Sequence, residues 1–508
     1  MAASSTAEVG VGVGTAVKET KESQLNFDSI PDVEGDEKSE NGASLRRSTM
    51  GLALLFLSPT VTLRELDRIL DRLAALSPFS SDDLRNDSEE QCNLTSSAEL
   101  LSGIFRRLRS NEAKWLRKYD GEYCQIHVDL SNRESGIKIF SKGGRDSTRD
   151  RMGLHRALRE SLKLGTADCA IKKQCILEGE LLVWNDDTRT IAPFHRIRKH
   201  VRRSGRLLGA AQNSPVTANE HLMVMFYDLL LLDDTFCARE SLDKRRHRLQ
   251  SLVCRIPGHA DIGSREVVTF SLMNAAEELT AVFARAITQR WEGLVLKGCD
   301  DPYFTFDNSK LFIKLKKDYI PGLGDSADFI IVGGHHNTDD EHDIGMGKLW
   351  WTAFYIGCVD NKDEVCRFDT KPRIRIIDIV DKYGISKDHV VLLNRQGYFT
   401  RMPFAMSTPK FDVVLESAQR LRPVELFTHP YIVELVGAGF DKPANTAYYT
   451  LRFPRVLKIH DDRSFGDTIS FKELQEMAQN CLAMPDKAQR EEKQWRERLC
   501  GRQQIDEE

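Results

Sequence analysis

Three apolar runs constrain this chain more than anything else in it: "CILEGELLVW" (175–184), "LMVMFYDLLLL" (222–232) and "EGLVLKG" (292–298). Near-continuous apolarity over so few residues is what a strand covered on both faces requires, and helical patterns around 241–253 and 274–289 lie between the runs. The pattern predicts an α/β or α+β domain that closes near Tyr319. Single acids interrupt the runs, and a buried carboxylate is costly unless it is paired or bound to a cation. Glu180, Asp228 and Glu292 therefore each call for a partner.

Lysines offer one. "FIKLKK" (312–317) alternates Ile313 and Leu315 with Lys314 and Lys316, so two ammonium groups emerge on one face, toward those acids or toward a polyphosphate. An internal ion-pair network explains any one of these residues, whereas the set together points to a site. Upstream, "KWLRKYDGEYCQIH" (114–127) sets Lys118 before an Asp120-Gly121 turn. From Glu122 the period becomes two: Cys124, Ile126, Val128 and Leu130 face one way, and Tyr123, Gln125, His127 and Asp129 the other. Lys118 is either a solvated lysine beside a turn or a nucleophile held at the lip of a strand.

A length of 508 residues suggests two or three domains. Residues 1–50, rich in Ala, Ser, Gly and Glu, read as a disordered tail. Residues 51–113 read as a helical segment, with capping boxes at Thr62/Glu65 and Ser96/Glu99. After "IPGLGDSAD", short strands and turns over 321–475 suit a small β-barrel, followed by a charged helical tail over 476–508. The net charge of −4 excludes general affinity of the whole chain for phosphate backbones, so nucleic-acid contact has to come from local patches. One such patch is "HRIRKHVRRSGR" (195–206), with Arg202 and Arg203, inside a stretch without acids; a solvated loop or a localisation signal has the same composition. The 11 cysteines include no C-x-x-C pair, which argues for reduced intracellular thiols and against structural zinc. "GLALLFLSPTV" is too short to span a bilayer, so a soluble protein without a membrane role is expected.

In order along the chain, "KYDGEY", "IFSKGGRDST", "LEGELLVW", "FYDLLLL", "EGLVLK", "LFIKLKKDY" and "LRFPRVLKIHDDR" resemble the motifs of the ATP-dependent DNA ligases, within the covalent lysyl-nucleotidyltransferases. The resemblance implies an α+β nucleotidyltransferase (adenylation) domain over 114–320 and an all-β OB-fold barrel over 321–475. It implies ATP as adenylate donor, Mg²⁺, and nicked double-stranded DNA as substrate, in repair or recombination. Lys118 takes the place of the nucleophile, Tyr227 that of the aromatic stacked on adenine, and Glu180 and Glu292 those of metal and ribose ligands. Lys297, Lys314 and Lys316 correspond to phosphate-binding lysines. Asp462 and Arg463 match the pair that closes over ATP, and Lys142, Arg452 and Arg455 stand at DNA-contacting positions. An amine attacks only as the neutral base, so Mg²⁺, Lys314 and Lys316 are expected beside Lys118. The family also implies a nuclear monomer, with "RKHVRR" and "DKRRHR" as basic clusters.

Departures from the pattern are as informative. Tyr123 replaces an arginine that contacts phosphate, Leu116 a glutamate that reads the adenine amino group, and Lys142, Lys458 and His460 three further arginines. The large helical DNA-binding domain of eukaryotic relatives has no full counterpart ahead of Lys118, so an incomplete clamp is expected. Two alternatives share the motif chemistry or the ancestry: an RNA ligase or capping-type nucleotidyltransferase, left open by Leu116 but opposed by "RFPR", and a weakened ligase paralogue that binds DNA or partners.

Overall fold

The computed structural model describes residues 112–131, 136–203, 206–207, 218–269, 275–303, 312–320, 322–415, 423–443 and 446–500. The predicted tail and nearly all of the predicted helical segment, including both capping boxes, lie outside them.

Two sheets build the first half. One is four-stranded and antiparallel, in the order Arg265–Thr269, Glu112–Lys118, Gly293–Gly298, Phe312–Leu315. The other runs Ile137–Phe140, Glu122–Asp129, Gln174–Asn185, Glu220–Leu232, Ala260–Ile262, antiparallel except for its last pair. The apolar runs thus occupy central strands of both sheets. Strand Glu122–Asp129 buries Cys124, Ile126 and Val128 completely. His127, expected on the more open face, is buried as well, against the Phe140 ring, and burial pushes its imidazole down to about 3.

The chain crosses from one sheet to the other in the three residues between Lys118 and Glu122. That crossing explains Gly121: a Cβ there would lie 2.4 Å from the Leu181 carbonyl oxygen and 2.7 Å from Glu180 Cγ. Gly293, opposite Lys118 in register, has φ +150° and would place a Cβ 2.1 Å from the Leu315 carbonyl oxygen. Two glycines therefore let three strands close around one lysine.

Beyond residue 320, a seven-stranded sheet runs Arg401–Pro403, Glu425–Gly437, Asp325–His335, Ala353–Val359, Arg373–Val380, Asp412–Val414, with Arg455–His460 also paired to Glu425–Gly437. Trp351, Phe354, Phe427 and Val433 centre its core. The expectation of strands and turns alone is corrected here. Helix Lys387–Thr400, capped by Ser386 accepting from the His389 N–H at 3.2 Å, lies among the strands and buries Val390, Leu393 and Asn394. Within the C-terminal segment read as a charged helical tail, helix Ala488–Leu499 folds back onto the first half, where Leu499 joins the cluster of Trp115, Phe283 and Leu294 and Arg290 pairs with Glu491.

Candidate active site

Lys118 ends its strand, and Glu292 stands immediately before the neighbouring strand Gly293–Gly298. The Lys118 ammonium donates to Glu292 Oε2, while Lys316 Nζ reaches Glu292 Oε1 at 2.6 Å. The Glu292 side chain is only 9% exposed, and the two lysines outweigh the burial that would otherwise raise its carboxyl. Glu292, read from the sequence as a metal ligand, is the shared acceptor of two ammonium groups in this structure.

Lys314 completes a cationic rim. Burial, followed by repulsion from Lys142, Lys118 and Lys316, lowers its ammonium to about 8, so exposed Lys142 acts on the same electrostatic cluster. On the opposite sheet, burial pushes the Glu180 carboxyl up to about 8; Lys118 opposes the shift, and Glu292 and Asp120 add to it. Lys118, Glu180, Glu292, Lys314 and Lys316 are thus brought together as the sequence predicted.

A second network lies behind them. Asp228 is 1% exposed and accepts from Arg245 Nε at 2.8 Å and from Lys297 Nζ at 3.1 Å. Burial favours the neutral acid, but Lys297 and Arg245 prevail and hold it down at about 2. Lys297, expected on phosphate, is therefore engaged with Asp228, and its ammonium lies 5.8 Å from the centroid of the half-buried Tyr227 ring. Sequence reasoning missed Glu178, which accepts from Tyr123 Oη at 2.6 Å and from Tyr303 Oη at 2.7 Å. Tyr123 does not merely lack an arginine's charge; it binds a buried carboxylate. The apolar run around Glu178 was the available signal.

Several expected positions lie elsewhere. Arg452 donates to Asp120 and lies 4.6 Å from the Phe194 ring centroid, and Arg455 pairs with Asp318 at 3.0 Å, so both expected DNA contacts join the C-terminal sheet to the first half. Arg463 pairs with Asp328, and Asp462 is 85% exposed after strand Arg455–His460, so that pair is placed on the C-terminal sheet. The basic segment is corrected as a free patch over 195–200. Arg196 is held by Glu220 at 2.9 Å, Arg198 by Asp441 at 3.0 Å, and Lys199 is buried. Arg202 and Arg203 form a two-residue strand paired with Arg206–Leu207, and their side chains lie outside the described residues. In "DKRRHR", Arg245 and Arg246 are each 2% exposed, while Lys244 and His247 are exposed.

Among the described residues, no group of three or more acid, histidine or cysteine ligands is arranged to hold a metal, and no helix is long and apolar enough to cross a membrane. Glu180 fits Mg²⁺ best: its carboxyl is desolvated beside like charges, an arrangement that a divalent cation relieves, and Mg²⁺ needs few protein carboxylates when phosphates complete its shell.

Comparison with known proteins matches residues 93–316 to the ATP dependent DNA ligase domain. The chain is 25% identical over 379 residues to DNA ligase 4 of Dictyostelium discoideum, covering 72% of this chain and 33% of that one. It is 26% identical over 378 residues to DNA ligase 1 of Saccharomyces cerevisiae, covering 72% and 44%. It thus spans less than half the length of these curated relatives. Among solved structures, a mycobacterial DNA ligase D complexed with ATP and MES matches at 16% identity and TM-score 0.31, over 72% of this chain and 94% of that one.

Proposed function

We propose, from the premise that this chain is a member of the ATP-dependent DNA ligase family, that it seals nicks in double-stranded DNA through an adenylate carried on Lys118. We read residues 114–320 as the adenylation domain and 321–475 as an OB-type barrel. The observation that carries the proposal is the convergence of Lys118, Lys316 and Glu292 at the junction of three strands, with Glu180 facing them from the second sheet.

The reaction is three phosphoryl transfers. Lys118 Nζ, once its ammonium has given a proton to solvent, attacks the α-phosphorus of ATP, the bond to the bridging oxygen breaks, and pyrophosphate leaves. The lysyl phosphoramidate then yields its adenylate to the 5′-phosphate of a nick, and the adjacent 3′-hydroxyl displaces AMP to form the phosphodiester. Glu292 fixes the direction of the Lys118 side chain, which a near-attack geometry requires. Lys316 and Lys314 supply fixed positive charge where negative charge develops on phosphorus oxygens. In this reading Glu180 would hold Mg²⁺, which when bound would neutralise phosphate charge. Tyr227 offers a half-buried ring to the base. Nuclear localisation rests on the family alone.

The test is sealing of a singly nicked duplex by the full chain with ATP and Mg²⁺. Joined product that disappears in Lys118→Ala supports the reading; the absence of joined product, or its persistence in Lys118→Ala, refutes it.

A further inference from the structure

On the third sheet lies an aromatic cluster that the chemistry above does not use. Trp350 is 47%, Tyr398 37% and Phe399 85% exposed. Their rings are ordered rather than scattered. Trp350 and Tyr398 lie 4.9 Å apart between centroids, Tyr398 and Phe399 5.4 Å, and the Arg401 guanidinium sits 4.3 Å from the Trp350 ring and 4.4 Å from the Tyr398 ring. The base is rigid. Asn394 Oδ1 accepts from the backbone N–H of Trp350 at 2.7 Å and of Trp351 at 3.1 Å, while its Nδ2 donates to the carbonyls of Trp351 and Val390, both at 2.9 Å. A buried side chain with four hydrogen bonds thus locks the Trp350 loop to the helix that carries Tyr398 and Phe399.

The chain segment that carries Tyr398, Phe399 and Arg401 is cationic. Between Asp388 and Asp412 the sequence contains no acid, and it contributes Arg395, Arg401 and Lys410; Lys348 is exposed beside Trp350. Of the acids that adjoin it, Glu425 accepts from the Trp351 indole at 2.8 Å and Glu341 from the Leu349 N–H at 2.6 Å, Asp340 and Asp343 pair with Lys382, and Asp339 is exposed. Flat ring faces, a stacked guanidinium and a cationic segment are complementary to a ligand with planar groups on an anionic backbone.

We infer that Trp350, Tyr398, Phe399 and Arg401 form a stacking platform for an unpaired nucleic-acid strand. Bases stack on the ring faces left open and on the Arg401 guanidinium, and Arg395 and Lys348 take the phosphates. The platform lies on the third sheet, and its operation does not depend on the Lys118 chemistry.

The experiment is fluorescence anisotropy of the full chain with a labelled oligothymidylate of about 20 nucleotides across a salt series. Phe399→Ala, at a position too exposed to affect folding, and Trp350→Ala should each weaken binding about five-fold or more, the lower end of a lost base stack. Arg395→Gln/Arg401→Gln should reduce the salt slope by about one to two. All of these variants should still form the Lys118 adenylate, which separates failure of the platform from failure of the ligase reading. Absence of strand binding, equal affinity of wild type and Phe399→Ala, or loss of binding to an acidic peptide with the oligonucleotide unaffected would each overturn the proposal, the last in favour of a protein-docking surface.

Discussion

Replacing Glu180 with Gln should stabilise the chain while disabling it, and the gain should depend on pH. In the folded state the Glu180 carboxyl is pushed from 4.5 up to about 8, chiefly by burial. Because the folded value lies above the unfolded one, the folded state holds this proton more tightly. The stability contributed by the neutral acid is full below about 4.5 and is lost as pH rises through about 8. At ~1.4 kcal/mol per pH unit the complete penalty is at most ~5 kcal/mol, and the partial exposure of Glu180 brings it to ~2 kcal/mol. Gln has no charge to bury, so the variant should match wild type near pH 5 and exceed it by ~2 kcal/mol near pH 9. Urea denaturation of both proteins in chelator at the two pH values measures this directly. A difference that is the same at both, or a variant that is less stable at pH 9, would refute the assignment of burial as the dominant force on Glu180.

Gly121→Ala should destabilise by ~2 kcal/mol or more and abolish adenylate formation, because the new methyl meets the Leu181 carbonyl oxygen at 2.4 Å; a variant with wild-type melting and activity would show that the sheet crossing is not tight. Arg245→Met should cost ~3–5 kcal/mol by leaving Asp228 buried beside Lys297 alone, and adding Asp228→Leu should recover much of it. Thermal melts of the two variants check this, and a double variant no more stable than the single one would contradict the ion-pair account.

The acids in apolar strands were legible because burying a carboxylate without a partner is expensive, and that rule pointed to Glu180, Asp228 and Glu292 before any geometry. Lys118 was legible through the turn that follows it. That Glu112–Lys118 and Glu122–Asp129 belong to different sheets was not, since a three-residue crossing and a three-residue hairpin have the same local composition. Arg245 was hidden in a charged helix, where a cation turned inward to Asp228 has the same sequence as one turned to solvent. The basic run at 195–200 misled for a related reason: its neutralising partners Glu220 and Asp441 are distant in sequence, so charge density there said nothing of exposure. Helix Lys387–Thr400 was masked by the short strands around it.

Peptide mapping by mass spectrometry after the full chain meets ATP and Mg²⁺ examines the central claim with the fewest intervening assumptions. An adenylate on the peptide that contains Lys118, absent from Lys118→Ala and strongly reduced in Glu292→Gln, is the predicted result. An unmodified Lys118, or a nucleotide carried on another residue, would contradict it.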